Sequence, residues 1–173
     1  MRLFISINFT KEIKQKFIKI QNYLKQESSK GSFSNEQNLH LTLAFLGEVS
    51  FNKTLGIKKI MEETNFQRFE IEFNNLGEFK KKDGSIYWLG IKENIHVSTL
   101  QNTLSKTLIA YGYNVDTRPF TPHLTLARRV YIDYSISSKI EPVNTIVDRI
   151  CLMKSERLNN KQVYTELFVK KSN

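Results

Sequence analysis

The chain has 173 residues, 40% of them hydrophobic, enough for one substantial core and too few for two large domains. Lysine and arginine outnumber aspartate and glutamate by 26 to 17, and the resulting charge of +9 favours anionic partners such as nucleic acid. The single cysteine, Cys151, excludes an internal disulfide; no apolar run approaches a membrane span, and Met1 to Phe9 leads into Thr10 without a signal-cleavage pattern. A cytoplasmic protein with no membrane or disulfide partner is expected.

Leu3, Ile5 and Ile7 alternate with Phe4, Ser6 and Asn8, which predicts a first strand. Thr10 then caps a helix whose inner face carries Ile13, Phe17, Ile20 and Leu24. Residues 28–34, around Gly31, read as a loop. A strand begins with His40-Leu41-Thr42-Leu43-Ala44 and ends at Gly47. Ser50 caps a second helix expected to bury Leu55, Ile60 and Met61, with Gly56 lowering its propensity. Phe69, Ile71 and Phe73 alternate with charged residues in a strand that pairs, through a turn at Asp83-Gly84, with Ser85 to Ile91. Val97, Leu100, Leu104 and Leu108 mark a helix closed by Gly112. The word of residues 40–44 then returns as His123-Leu124-Thr125-Leu126-Ala127, and the chain ends in two strands, 146–153 and 163–169, joined by a polar turn at Asn159 and Asn160. Helices alternating with strands that also form hairpins predict an α+β fold with antiparallel sheets. The similar order of elements around each word suggests an internal duplication with a pseudo-twofold axis.

The repeated word carries the chemistry. On a half-buried strand, Leu41 and Leu43, or Leu124 and Leu126, enter the core while His and Thr share the other face. A lone histidine there is more often packed or solvated than catalytic. Strand propensity explains recurring Leu and Thr, but it does not call for His at the same place twice. Imidazole titrates near pH 7 unperturbed, so His40 and His123 can supply an acid and a base together, and the hydroxyls of Thr42 and Thr125 can donate to anionic oxygens. Two proton carriers and two donors around one anion suit phosphodiester chemistry.

With these words in hand, the chain resembles the two-histidine phosphoesterases, and within them the RNA 2′,3′-cyclic phosphodiesterases, also called 2′-5′ RNA ligases. The resemblance runs through Arg2-Leu3-Phe4-Ile5, residues 38–49 around the first word, Tyr87-Trp88-Leu89-Gly90, residues 118–128 around the second, residues 150–155 and Tyr164. It implies one bilobal domain over residues 1–173, with two antiparallel sheets, outer helices and a central active-site cleft that receives one His-x-Thr motif from each lobe. It implies no metal and no cofactor, and a monomer acting on RNA ends or oligonucleotides that bear a 2′,3′-cyclic phosphate. By similarity, His123 is the base activating water, His40 the acid protonating the 3′ oxygen, and Thr42 and Thr125 hold the nonbridging oxygens. The pair exchanges roles if the reaction runs backwards as a 2′-5′ ligation. The resemblance further places Arg128 against phosphate and Phe45 against the nucleobase, each five residues after a motif histidine. Strict alternation would turn such a residue to the opposite face, so these two roles require a bulge or a strand that ends first. Trp88 reads as a core aromatic.

Two segments depart from the family pattern. Lys80-Lys81-Lys82-Asp83 stands where Pro and Arg are common, and Asn159-Asn160-Lys161-Gln162 replaces a common Gly-Ala turn. Both bear on RNA preference rather than on the chemistry, and the lysine run reads as a solvated turn. A zinc site using His96 is disfavoured, because no Asp or Glu sits at ligand-like spacing near it. Two other readings are a non-catalytic module that holds an RNA end, and a phosphoesterase acting on ADP-ribose 1″,2″-cyclic phosphate.

Overall fold

The computed structural model describes all 173 residues. Strand β1 (Arg2–Asn8) leads into helix α1 (Lys11–Glu27), whose first turn is capped by the Thr10 side chain accepting from the Ile13 amide at 3.5 Å. The segment expected as a loop contains a short strand, β2 (Lys30–Phe33), and a single 3₁₀ turn (Glu36–Asn38) follows it. Next come β3 (His40–Glu48), α2 (Phe51–Glu63), the hairpin β4 (Phe69–Phe79) and β5 (Ser85–Ile91), and α3 (Ile95–Ala110). Four strands complete the chain: β6 (His123–Tyr131), β7 (Lys139–Val147), β8 (Arg149–Leu158) and β9 (Lys161–Lys171).

All nine strands belong to one antiparallel sheet, ordered β7-β4-β5-β6-β3-β1-β8-β9, with β2 added beside β6. Its halves correspond. In one, β1 and β3 pair around α1; in the other, β5 and β6 pair around α3. Each helix packs on the opposite half, α1 against β2, β6 and β7, and α3 against β3. Phe17 of α1 meets Phe9 and Phe73 edge-on at ring separations of 5.3 and 4.8 Å, so the crossing is cemented by apolar burial. The two halves, expected as separate sheets, join at a single register pair, Leu41 opposite Leu124, both without solvent exposure.

Two local expectations are corrected, and one strand was not foreseen. Leu55 is 72% exposed; α2 instead buries Thr54, Ile57, Ile60 and Met61, and residues 54, 57 and 61 share a face from which 55 is rotated away. Residues 146–153 are not one strand, because β7 ends at Val147 and β8 begins at Arg149. β7 itself was hidden by Pro142 and by polar residues, both tolerated because it pairs with β4 alone, at the edge of the sheet. At the end of α3 the chain does follow expectation. Gly112 adopts a φ of 77°, and the Tyr113 and Gly112 amides return to the carbonyls of Leu108 and Ile109, a Schellman closure.

Candidate active site

Leu41 and Leu124 point into the core, so the residues on either side of them point out of it. His40, Thr42, His123 and Thr125 line one cleft of about 710 Å³. The antiparallel register through the leucine pair runs His40 towards Thr125, and Thr42 towards His123. The halves therefore present their motifs to the same space, related by the pseudo-twofold.

Phe45 and Arg128 line the cleft too, and a duplicated bulge explains why. Between β1 and β3, Ile5 opposes Ala44 but Ser6 opposes Thr42, leaving Leu43 as an extra residue. Between β5 and β6, Tyr87 opposes Ala127 but Trp88 opposes Thr125, leaving Leu126 extra at the equivalent place. The parity then shifts: Leu43 and Ala44 are both buried and Phe45 is exposed, while Leu126 and Ala127 are both buried and Arg128 is exposed. The carbonyl of the extra residue Leu126 accepts from the Ser34 amide at 2.8 Å. Gln21, a buried side chain of α1, donates to the same carbonyl at 2.9 Å and also to the Ser34 carbonyl at 2.9 Å.

Each histidine is fixed by the carbonyl two residues before it. His40 Nδ1 lies 2.7 Å from the Asn38 oxygen, and His123 Nδ1 lies 2.6 Å from the Thr121 oxygen. A carbonyl can only accept, so Nδ1 carries a proton in both and Nε2 is the nitrogen left for chemistry. In His40, Nε2 is 3.0 Å from Thr42 Oγ1, which donates to it while the ring is neutral. Their surroundings differ. His40 is packed between Phe4 at 4.8 Å and the edge of Tyr164 at 5.2 Å, while His123 sits against Phe79 at 5.4 Å and Trp88 at 5.9 Å. Trp88 is thus half-buried behind His123, neither a core residue nor part of the cleft lining.

Burial pushes His40 down from 6.5 to about 4, opposed by the Asn38 carbonyl and assisted by Lys14, Arg128 and His123. Burial also raises the Tyr164 hydroxyl, against the pull of Arg128 and Arg2. The His40 shift has a consequence for stability. Above pH 6.5 the ring is neutral folded or unfolded and makes no difference. As pH falls from 6.5 to 4 the unfolded chain takes up a proton that the folded chain refuses, so stability is lost across that window. The loss is on the order of 2–3 kcal/mol for a ring that keeps some water contact. Urea unfolding at pH 7 and pH 4 should show this loss in the wild type and a smaller one in His40→Gln; equal losses would contradict it.

Sequence reasoning did not assign Tyr164, Phe4, Asn38 or Arg2 to the site. The Arg2 guanidinium lies 5.0 Å over the Phe45 ring, covering one of its faces. Phe4 and Tyr164 come from β1 and β9, which neighbour the motif only through sheet order, and no local pattern in the sequence reveals that. The lysine run of residues 80–82 forms an exposed turn outside the cleft lining, and His96 stacks on Phe69 at 5.4 Å on α3. No three His, Cys, Asp or Glu side chains converge in metal-holding geometry, and no helix is long and apolar enough to cross a membrane.

Fold and cleft together define a duplicated α+β protein with one histidine and one threonine from each half around one shared cleft. The model of the 2′-5′ RNA ligase superfamily matches residues 10–159, and the chain belongs to that family. It is 29% identical to the RNA 2′,3′-cyclic phosphodiesterase of Thermotoga maritima, over 97% of this chain and 94% of that one. The Archaeoglobus fulgidus protein of the same name is 34% identical over 74% of this chain and 72% of its own. The crystal structure of E. coli LigT complexed with 3′-AMP superposes with a TM-score of 0.88 at 27% identity, covering 99% of this chain and 97% of that one.

Proposed function

We propose that the chain hydrolyses a terminal RNA 2′,3′-cyclic phosphate to a 2′-phosphate, with His40 and His123 as the proton carriers. The observation that carries this reading is the paired anchoring of both Nδ1 atoms by backbone carbonyls, which commits both Nε2 atoms to the one cleft. Neutral His123 takes a proton from water as the water oxygen bonds to phosphorus. The bond from phosphorus to the 3′ oxygen breaks, and that oxygen receives the proton of the His40 imidazolium. Thr42, Thr125 and Arg128 hold the nonbridging oxygens, Phe45 meets the base, and the two lobes act as one domain. The single buried cysteine suits a reducing cytoplasm, and a monomer suffices because both motifs lie on one chain.

His40 must be protonated to act as the acid, yet in the free protein its proton leaves near pH 4. The phosphate charge supplies the difference, because an anion beside the ring favours the imidazolium. Protonation also ends acceptance at Nε2, which releases the Thr42 hydroxyl to donate to the phosphate. Binding of a nucleoside 2′-phosphate near pH 7 should therefore take up about one more proton in the wild type than in His40→Gln, as read by calorimetry in buffers of different ionisation enthalpy. Equal proton uptake would remove His40 from the acid role. Thr42→Val should lower kcat/KM about tenfold to a hundredfold by deleting a donor to a charged group, while Thr42→Ser should retain most of it. A bell-shaped rate profile against pH separates this enzyme from a module that only binds RNA ends, which would bind without turnover at any pH.

A further inference from the structure

The departure at residues 159–162 lies on the cleft. Asn159 and Asn160 turn the β8–β9 hairpin with φ of 47° and 62°, the paired left-handed geometry of a tight hairpin turn, which Asn tolerates better than most residues. This turn sets Arg157 and Lys161, on its two flanks, at the cleft rim. It is also tied to the chemistry. The Gln162 side chain holds Ser155 Oγ at 2.9 Å and the Glu156 carbonyl at 2.8 Å, while the Gln162 carbonyl accepts from the Asn38 side chain at 2.8 Å. Asn38 is the residue whose own carbonyl orients His40.

Across the cleft, Arg129 of β6 lines the rim with a φ of 52°, a strained conformation for a residue with a side chain. Gly84, at a φ of 94°, lets that backbone approach, since a Cβ there would sit 2.8 Å from the Arg129 carbonyl carbon. With Arg2 and Arg128, five cationic side chains line the cleft and no carboxylate does. None of the five is engaged in a salt bridge. Unpaired like charges gathered in a concave site repel one another and are relieved by a polyanion.

We propose that Arg157, Lys161 and Arg129 hold the backbone phosphates upstream of the terminal one, so that the preferred substrate is a single-stranded RNA end several nucleotides long rather than a mononucleotide. This rests on the reading of the preceding subsection and extends it from the reacting phosphate to the strand behind it. The hairpin supplies one wall of the path and β6 the other, and the strand leaves the histidines between them.

Binding is the readout. A fluorescent RNA pentamer ending in a 2′-phosphate is titrated by anisotropy, with competition by a nucleoside 2′-phosphate, for the wild type and for R157Q/K161Q. The ratio of pentamer to mononucleotide affinity should fall about tenfold, and the slope of log affinity against log salt should flatten by about 1.4 for two contacts to a single strand. The charge-preserving R157K/K161R should keep both values. An unchanged ratio and slope would overturn the inference, and so would equal loss for pentamer and mononucleotide, since the two cations would then serve the terminal phosphate. Hydrolysis of the same pentamer carrying a terminal 2′,3′-cyclic phosphate by the wild type, measured alongside, tests the enzyme reading separately, because its failure leaves the binding ratio intact.

Discussion

Replacing either His40 or His123 by alanine should lower turnover of a 2′,3′-cyclic phosphate by about 10²–10⁴-fold, the usual worth of one general acid or base. The double variant should cost far less than the product of the two. Once one proton carrier is gone, the other has little concerted transfer left to assist, and residues that act as a unit are not additive. Folding should survive, because the strands are seated by Leu41, Leu43, Leu124 and Leu126, all at most 2% exposed, while both imidazoles face the cleft. Near-wild-type turnover in either single variant, with melting unchanged, would show that the paired histidines do not carry the reaction.

The largest loss of stability is expected at the seam. Leu41 and Leu124 are fully buried and form the one register pair through which β3 and β6 join the halves. Leu124→Ala removes that contact from a close-packed interior and should cost about 2–5 kcal/mol, read as a lower urea midpoint at unchanged slope. The same change should reduce kcat, since the spacing of the two motifs depends on this junction. A loss below about 1 kcal/mol would mean that the seam relaxes into the cavity and is not what sets the spacing.

What was legible in the sequence is the placement of the two repeated words and the frame around them. The repeated word located both histidines and both threonines, because a period of two assigns faces without knowledge of any partner strand. The α3 periodicity and its closing Gly112 were equally local signals. Harder to see were features decided by neighbours. The bulges at Leu43 and Leu126 appear only in the registers with β1 and β5, yet they bring Phe45 and Arg128 onto the faces of their histidines. β2, with Gly31 and Ser32 at its centre, is a strand only because β6 offers it an edge. The contribution of β9 to the site, through Tyr164 and the hairpin rim, follows from a sheet order in which β8 lies beside β1 and β9 beside β8, and no local motif encodes that order.

In the proposed reaction, water displaces the 3′ oxygen between two histidines. The most direct test is to incubate a short RNA carrying a terminal 2′,3′-cyclic phosphate with the wild-type protein and to locate the phosphate in the product by phosphorus NMR. The expected product is a 2′-phosphate with a free 3′ hydroxyl. A 3′-phosphate, or a cyclic phosphate left intact by a folded protein, would contradict the proposed reaction.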